Sequence, residues 1–88
     1  MKYKVKNSQL VYEVDNNVLA YIDFDKQDHV YTIKKVFTDE ALRGQGIAKE
    51  LMDAMVNIIK EDNAKCIAIC SYAIGYFEKN PQYTTLLK

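Results

Sequence analysis

The chain has 88 residues, 49% of them hydrophobic, and its twelve Lys and Arg balance twelve Asp and Glu for a net charge of zero. That length suits one domain, residues 1–88, with a thin core, and neutrality argues against nucleic acid as a partner while leaving room for a small basic cleft. The longest uncharged run, residues 66–77, is twelve residues, short of the roughly 20 apolar residues of a membrane helix. No apolar segment follows the basic start, so no secretory signal is expected, and two cysteines are too few for a disulfide scaffold, which points to the reducing cytoplasm.

The first half reads as strands. Leu10-Val11-Tyr12-Glu13-Val14 is β-rich, and Asp15-Asn16-Asn17 forms a turn cluster, because Asn and Asp tolerate left-handed backbone. In residues 18–24, Val18, Ala20, Ile22 and Phe24 fall on one face and Asp23 on the other. Residues 25–28 read as a second hairpin loop, and residues 30–38 as a third strand in which Lys34-Lys35 breaks the alternation, as a bulge would. Hairpins imply antiparallel pairing.

The period then changes. Over residues 46–62 the apolar positions are Ile47, Leu51, Met55, Ile58 and Ile59, with Ala48 and Met52 beside them, the pattern of an amphipathic helix. Asn63 suits a left-handed stop. Residues 65–70 form a compact apolar run suited to a buried strand, Ser71 can cap a short helix to about Asn80, and Pro81 ends it. The order β-β-β-α-β-α predicts an α+β fold: a mixed, mostly antiparallel sheet whose last strand runs parallel, with two helices.

The most informative segment is Leu42-Arg43-Gly44-Gln45-Gly46-Ile47-Ala48, between a strand end and the long helix. A helix start offers unpaired N–H groups and partial positive charge, glycines admit a ligand close to the backbone, and Arg43 adds a charged fork. Together these describe a cradle for a phosphate or pyrophosphate. A plain tight turn also explains two glycines. A Walker loop is excluded because Ile47-Ala48 follows Gly46 where Lys-Ser/Thr is required, and a dinucleotide fingerprint lacks its third glycine.

Arg43-Gly44-Gln45-Gly46-Ile47-Ala48 resembles the Gln/Arg-x-x-Gly-x-Gly/Ala signature of GCN5-related N-acetyltransferases. Downstream, Cys70-Ser71-Tyr72, Tyr76-Phe77 and Asn80-Pro81-Gln82-Tyr83 resemble the tail of the very small single-domain members of that family. The chain departs from the family pattern at Thr38, where Val is usual, at Glu40, where Pro is common, and at Asn80, where many relatives carry His. The last speaks against acid–base work at that position.

The resemblance implies an acetyl-CoA-dependent transfer of acetyl to a primary amine of unknown identity. It places the pyrophosphate on Arg43, Gly44, Gln45, Gly46, Ile47 and Ala48, and the acetyl and pantetheine arm on the backbone of Val36, Phe37 and Thr38. Tyr72, Lys79 and Asn80 are further cofactor candidates. Cys70 is the candidate acid for the leaving thiolate, or an acetylated nucleophile, and a helix start is a position that lowers a thiol pKa. A buried core cysteine is the competing reading for Cys70 and the expected one for Cys66. The two lie about 13 Å apart on an extended strand, too far for a disulfide. Tyr76 is the other catalytic candidate, although aromatics at this spacing pack more often than they react.

Glu13, Asp23 and Glu40 are undistinguished candidate bases, and the lone His29 supports no metal site. A CoA-binding module with little catalysis, and a small α/β interaction domain with a structural loop, are the other functional readings. The length further implies an open, shallow acceptor side, and a monomer or weak homodimer is expected.

Overall fold

The computed structural model describes residues 3–88; Met1 and Lys2 of the basic start and of the expected domain lie outside the described residues. Five strands form one sheet in the order β1 (Tyr3–Lys6), β2 (Gln9–Val14), β3 (Asn17–Gln27), β4 (Val30–Thr38) and β5 (Lys65–Ala68). The first four make an antiparallel meander, and β5 joins β4 in parallel after the crossover helix α1 (Ile47–Glu61). Helix α2 (Ser71–Lys79) and a 3₁₀ segment (Pro81–Leu86) complete the chain. The mixed α+β architecture is the one expected, with one strand more.

That extra strand, β1, alternates Lys4 and Lys6 with Tyr3 and Val5, and Tyr3 is its only half-buried residue. It is a short lysine-bearing edge, a form that discourages further pairing. Two of the three tight hairpins, β2–β3 and β3–β4, follow from their turn residues. Asp15 and Asn16 have φ of 51° and 67°, Asp28 and His29 of 51° and 62°, and each pair is a two-residue loop of the type I′ kind. The second loop is therefore narrower than residues 25–28, because β3 runs on to Gln27.

Two bulges set the faces of the sheet. Lys34 is skipped where Asp23 pairs with Lys35 and Phe24 with Ile33, so the bulge falls where the two lysines broke the alternation. Leu19 is skipped where Tyr12 pairs with Ala20 and Glu13 with Val18. This second bulge turns Val18 out of the row that Ala20, Ile22 and Phe24 form, and Val18 is 44% exposed.

The core lies between the Leu10, Ala20, Ile22 and Ile33 face and both helices. Helix α1 buries Ile47, Leu51, Met52, Met55, Val56 and Ile59. Val56 takes an inward position expected of Ile58, which is only partly buried. Each such aliphatic side chain contributes about 1.5–3 kcal/mol on burial. The helix ends in a Schellman closure, with Asn63 at φ 53°, its N–H donating to the Lys60 carbonyl and that of Ala64 to Ile59.

Strand β5 is shorter and more open than the apolar run suggested. Cys66 is fully buried, yet Ile67 and Ile69 are 40% and 58% exposed. An edge strand covered on one face only cannot bury alternate residues on both. No helix among the described residues is long and apolar enough to cross a membrane.

Candidate functional site

The site is built where β4 ends. Asp39 anchors the exit: its N–H donates to the Leu19 carbonyl at 2.7 Å, so the β3 bulge holds the start of the loop. The Asp39 carboxylate accepts from Ala41 N–H at 2.9 Å and opens a 3₁₀ turn over Glu40–Leu42. Arg43 to Gly46 then turn the chain into α1. Gly44 and Gly46 adopt φ of 84° and 76°, conformations that cost a residue with a Cβ roughly 1–2 kcal/mol. Gly46 is the N-cap of α1 and no side chain caps it, so the first-turn amides have neither an intrahelical nor a side-chain acceptor.

A groove of about 220 Å³ covers this loop, with Thr38, Arg43, Gly44, Gly46, Ala48, Lys49 and Tyr72 among its lining. A Cβ built on either glycine meets nothing within 4 Å, so the space above both is open. Thr38 Oγ1 is buried without a hydrogen-bond partner among the described residues. Arg43 Nε reaches the Thr38 carbonyl at 3.4 Å, and Gln45 folds its amide back onto the Ala41 carbonyl at 3.4 Å. Ile47 is 8% exposed and belongs to the core, so only its backbone faces the loop.

Beside the loop the sheet splits. The β4–β5 ladder runs from Val30–Lys65 to Ile33–Ala68 and closes with Ile69 N–H on the Ile33 carbonyl at 3.0 Å. Beyond it β4 continues alone on that side through Val36, Phe37 and Thr38, while the other chain turns into α2. The Lys34 bulge puts Val36 and Thr38 opposite Ile22 and Ala20, and Phe37 opposite Tyr21. Tyr21 and Phe37 stack at 5.1 Å.

Cys70 sits at the mouth of the split, half-buried. It, rather than Ser71, is the N-cap of α2, with Sγ accepting from Ala73 N–H at 3.4 Å. The strand stops two residues earlier than the apolar run suggested, which moves the helix start and leaves Ser71 exposed in the first turn. Cys66 is free and buried, and burial pushes its thiol up to about 11.

A second groove, about 470 Å³, runs along α2 and is lined by Lys49, Ser71, Tyr72, Gly75, Tyr76, Lys79 and Asn80. Tyr72 lines both grooves, and its phenol is raised by burial and then by the Asp53 carboxylate. Tyr76 is 4% exposed. Its hydroxyl donates to Asp53 Oδ1 at 2.5 Å and its ring stacks on Tyr83 at 6.2 Å. Burial, then Asp53, holds that phenol above its usual range. Asn80 Nδ2 donates to the Tyr76 carbonyl at 2.8 Å and closes the last turn of α2, while Lys79 is exposed.

The model of the GCN5-related N-acetyltransferases matches residues 9–86. The chain belongs to this family. Among solved structures, it is similar to a GCN5-like protein from Staphylococcus aureus at 30% identity and a TM-score of 0.79, covering 98% of this chain and 86% of that one. It also shares its fold with a predicted acetyltransferase from Clostridium acetobutylicum determined with acetyl-CoA, at 24% identity and a TM-score of 0.62 over 82% of this chain and 55% of that one. PaiA N-acetyltransferase from Thermoplasma acidophilum in complex with coenzyme A gives 16% identity and a TM-score of 0.67 over 82% and 48%. This GCN5-related chain thus spans most of the first protein and about half of each of the other two. No curated protein matches the sequence.

Within this family member, the structure brings Thr38, Arg43, Gly44, Gly46, Ile47 and Ala48, with Tyr72, Tyr76, Lys79 and Asn80, around two adjoining grooves, whereas Val36, Phe37, Gln45 and Cys70 line neither. The carboxylates weighed as bases lie elsewhere. Glu13 is paired with Lys4 and Lys6, which hold it below its usual range, and Asp23 accepts from Gln9 Nε2 at 2.6 Å. Neither these nor Glu40 lines either groove. His29 is an exposed turn residue, and no group of three metal-ligating side chains comes together among the described residues. Sequence reasoning missed Lys49, which lines both grooves and pairs with Asp53 at 3.0 Å. Its position three residues after Gly46, in the first turn of α1, was the available signal.

Proposed function

We propose that the protein is an acetyl-CoA-dependent N-acetyltransferase, acting in the cytoplasm as a monomer or weak homodimer on a primary amine. The observation that carries this reading is the loop: a family member whose long helix starts at an uncapped left-handed glycine beneath open space. The residues present fit coenzyme A. An anion suits the free amides of α1 and the Arg43 guanidinium. The unpaired Thr38 hydroxyl and the unaccompanied edge of β4 suit an amide-bearing arm.

Acetyl-CoA, when bound, supplies the thioester that the amine attacks. The protein's own part is then positional and electrostatic. The Gly44–Gly46 backbone and the first amides of α1 hold the phosphates, and the β4 edge at Val36 to Thr38 orients the arm toward the split. Backbone N–H groups there polarise the carbonyl, a contribution that elsewhere is worth about 3–4 kcal/mol per donor. Cys70 Sγ is the group best placed to hold or move a proton at the leaving sulfur. Tyr76 is less well placed, because its proton is already shared with Asp53.

The single test is a titration with coenzyme A followed by an amine panel. A ligand that binds only the folded chain at a hundred times its Kd adds about 2.7 kcal/mol, a melting rise on the order of 10 °C for a domain this small. Release of free thiol from acetyl-CoA with one of the amines completes the assignment. No melting shift and no binding by calorimetry defeats the reading. Binding without thiol release favours a CoA-binding module. The specific observation on that side is that the candidate bases Glu13, Asp23 and Glu40 line neither groove.

A further inference from the structure

The sheet face turned away from the helices carries a primary amine beside the split. Across β2, β3 and β4 that face holds two rows, Gln9–Asp23–Lys35 and Val11–Tyr21–Phe37, because directly paired residues share a face. Lys35 has a carboxylate straight across the strand, yet it forms no ion pair among the described residues. Asp23 accepts from Gln9 instead, and Lys35 Nζ lies over the other row, 5.8 Å from the Tyr21 ring centroid and 6.0 Å from that of Phe37. The side chain therefore points along β4 toward Phe37, in the segment proposed for the acyl arm. Its neighbour Lys34, the bulged residue, is paired with Asp25 at 3.4 Å.

Phosphates on the Gly44–Gly46 turn lie beyond the Thr38 end of β4, so an arm laid along Val36 to Thr38 brings its sulfur end toward the point where the ladder to β5 closes, at Ile33 and Ile69. Lys35 is two residues past Ile33 on one side of the split, and Cys70 is one residue past Ile69 on the other. Thr38 lines the loop groove on the helix face, whereas Phe37 and Lys35 take the opposite face, so the amine stands across the strand edge from the side on which the cofactor enters. Resting on the acetyl-CoA reading above, we infer that Lys35 is a modification site: the chain transfers acetyl from its own bound acetyl-CoA to Lys35 Nζ. Lys35 is exposed, and its ammonium first loses a proton to water. The Nζ lone pair then forms the amide bond as the C–S bond breaks, the bond pair leaves with sulfur, and a second amine proton passes to that sulfur. The products are N-acetyl-lysine and coenzyme A. The two rings hold the stem beside the arm through cation–π contact, and an amine held in place reacts as though at high local concentration.

Incubating the full chain with acetyl-CoA and mapping the acetyl groups by mass spectrometry tests this. Lys35 should gain acetyl roughly tenfold or more faster than any other lysine, the advantage of a held amine, at a rate per chain that does not change with protein concentration. Lys34→Arg should keep that rate, and Lys35→Arg with native circular dichroism should lose the fast phase. A second measurement needs no turnover: saturating coenzyme A should slow labelling of Lys35 by an amine-reactive acylating reagent severalfold and leave labelling of Lys4 and Lys6 unchanged. In a chain that calorimetry shows to bind coenzyme A, four results each overturn this inference alone: acetyl spread evenly over the lysines, a rate per chain proportional to protein concentration, an undiminished Lys35 rate in Gly46→Glu, or Lys35 left unshielded at saturation. If the wild type does not bind coenzyme A, the acetyl-CoA reading fails and this inference fails with it.

Discussion

The two helices begin in opposite ways. Helix α1 starts at Gly46, in left-handed backbone at φ 76°, with no side chain on its first amides. Helix α2 starts at Cys70, in extended backbone at φ −74° and ψ 148°, with its own sulfur on the Ala73 amide. Every helix start leaves donors to satisfy. The second satisfies one internally and keeps the thiol in place. The first forgoes a cap of about 1 kcal/mol and leaves its donors open. The difference separates an open end, suited to binding, from a closed one that positions its own side chain.

The largest effect should come from spoiling the open end. Gly46→Glu brings bulk and negative charge to the cradle, and coenzyme A affinity should fall by roughly a hundredfold or more by calorimetry, about 2.7 kcal/mol. The variant also carries backbone strain of roughly 1–2 kcal/mol. Gly46→Ala carries the same strain without the charge and should retain measurable binding, which separates the two causes.

Tyr76 ties the two helices together through Asp53, so Tyr76→Phe should lower stability by about 1–2 kcal/mol in urea unfolding with little change in thiol release. A large loss of turnover at unchanged stability would instead make that hydroxyl a chemical participant.

The closed end should respond less in stability and more in chemistry. Cys70→Ala removes the weak cap and should cost about 0.5–1 kcal/mol, whereas Cys70→Ser supplies a better one and should restore it. If proton movement at the leaving sulfur uses Sγ, both variants lose thiol release alike. Full activity of Cys70→Ala on a true substrate makes the thiol structural.

The smallest effect concerns the far end of α1, which fixes the frame of the comparison. Lys26 and Tyr31 bond to Asp62 at 2.8 and 2.9 Å and hold its carboxyl below the usual range. A carboxyl lowered on folding stabilises the fold above its unfolded pKa, about 3.9, and loses that contribution as pH falls through the folded value. Stability measured from pH 6 to pH 2 should fall on the acid side, and Asp62→Asn should flatten part of that limb. An acid limb unchanged in Asp62→Asn would remove the pairing from the account.

The sequence announced α1 and the Asp15–Asn16 turn because periodicity and left-handed Asn and Asp are local signals, whereas the Asp28–His29 turn reads there as the wider loop 25–28. The glycine loop was legible for the same reason, since its backbone demands act within a few residues. Strand β1 was not, because a lysine-bearing edge buries too little to leave a pattern. The Leu19 bulge has no mark of its own in sequence; it exists because Asp39 and the partner strands demand it. Val18 was therefore placed on the wrong face, and β5 was read as covered on both sides when only its Cys66 face is. The cap moved from Ser71 to Cys70 because the ladder stops at Ile33 and Ile69, a tertiary limit no local rule contains. Lys49 looked like one more solvent-facing lysine of α1 until the position of α2 made it the meeting point of two grooves.

Calorimetric titration of coenzyme A into the folded wild-type chain and into Gly46→Glu tests the central claim most directly. Saturable one-to-one binding is expected for the wild type, and binding weaker by roughly a hundredfold or more for a Gly46→Glu protein with native circular dichroism. Equal binding by the two would contradict the assignment of the phosphates to the start of α1.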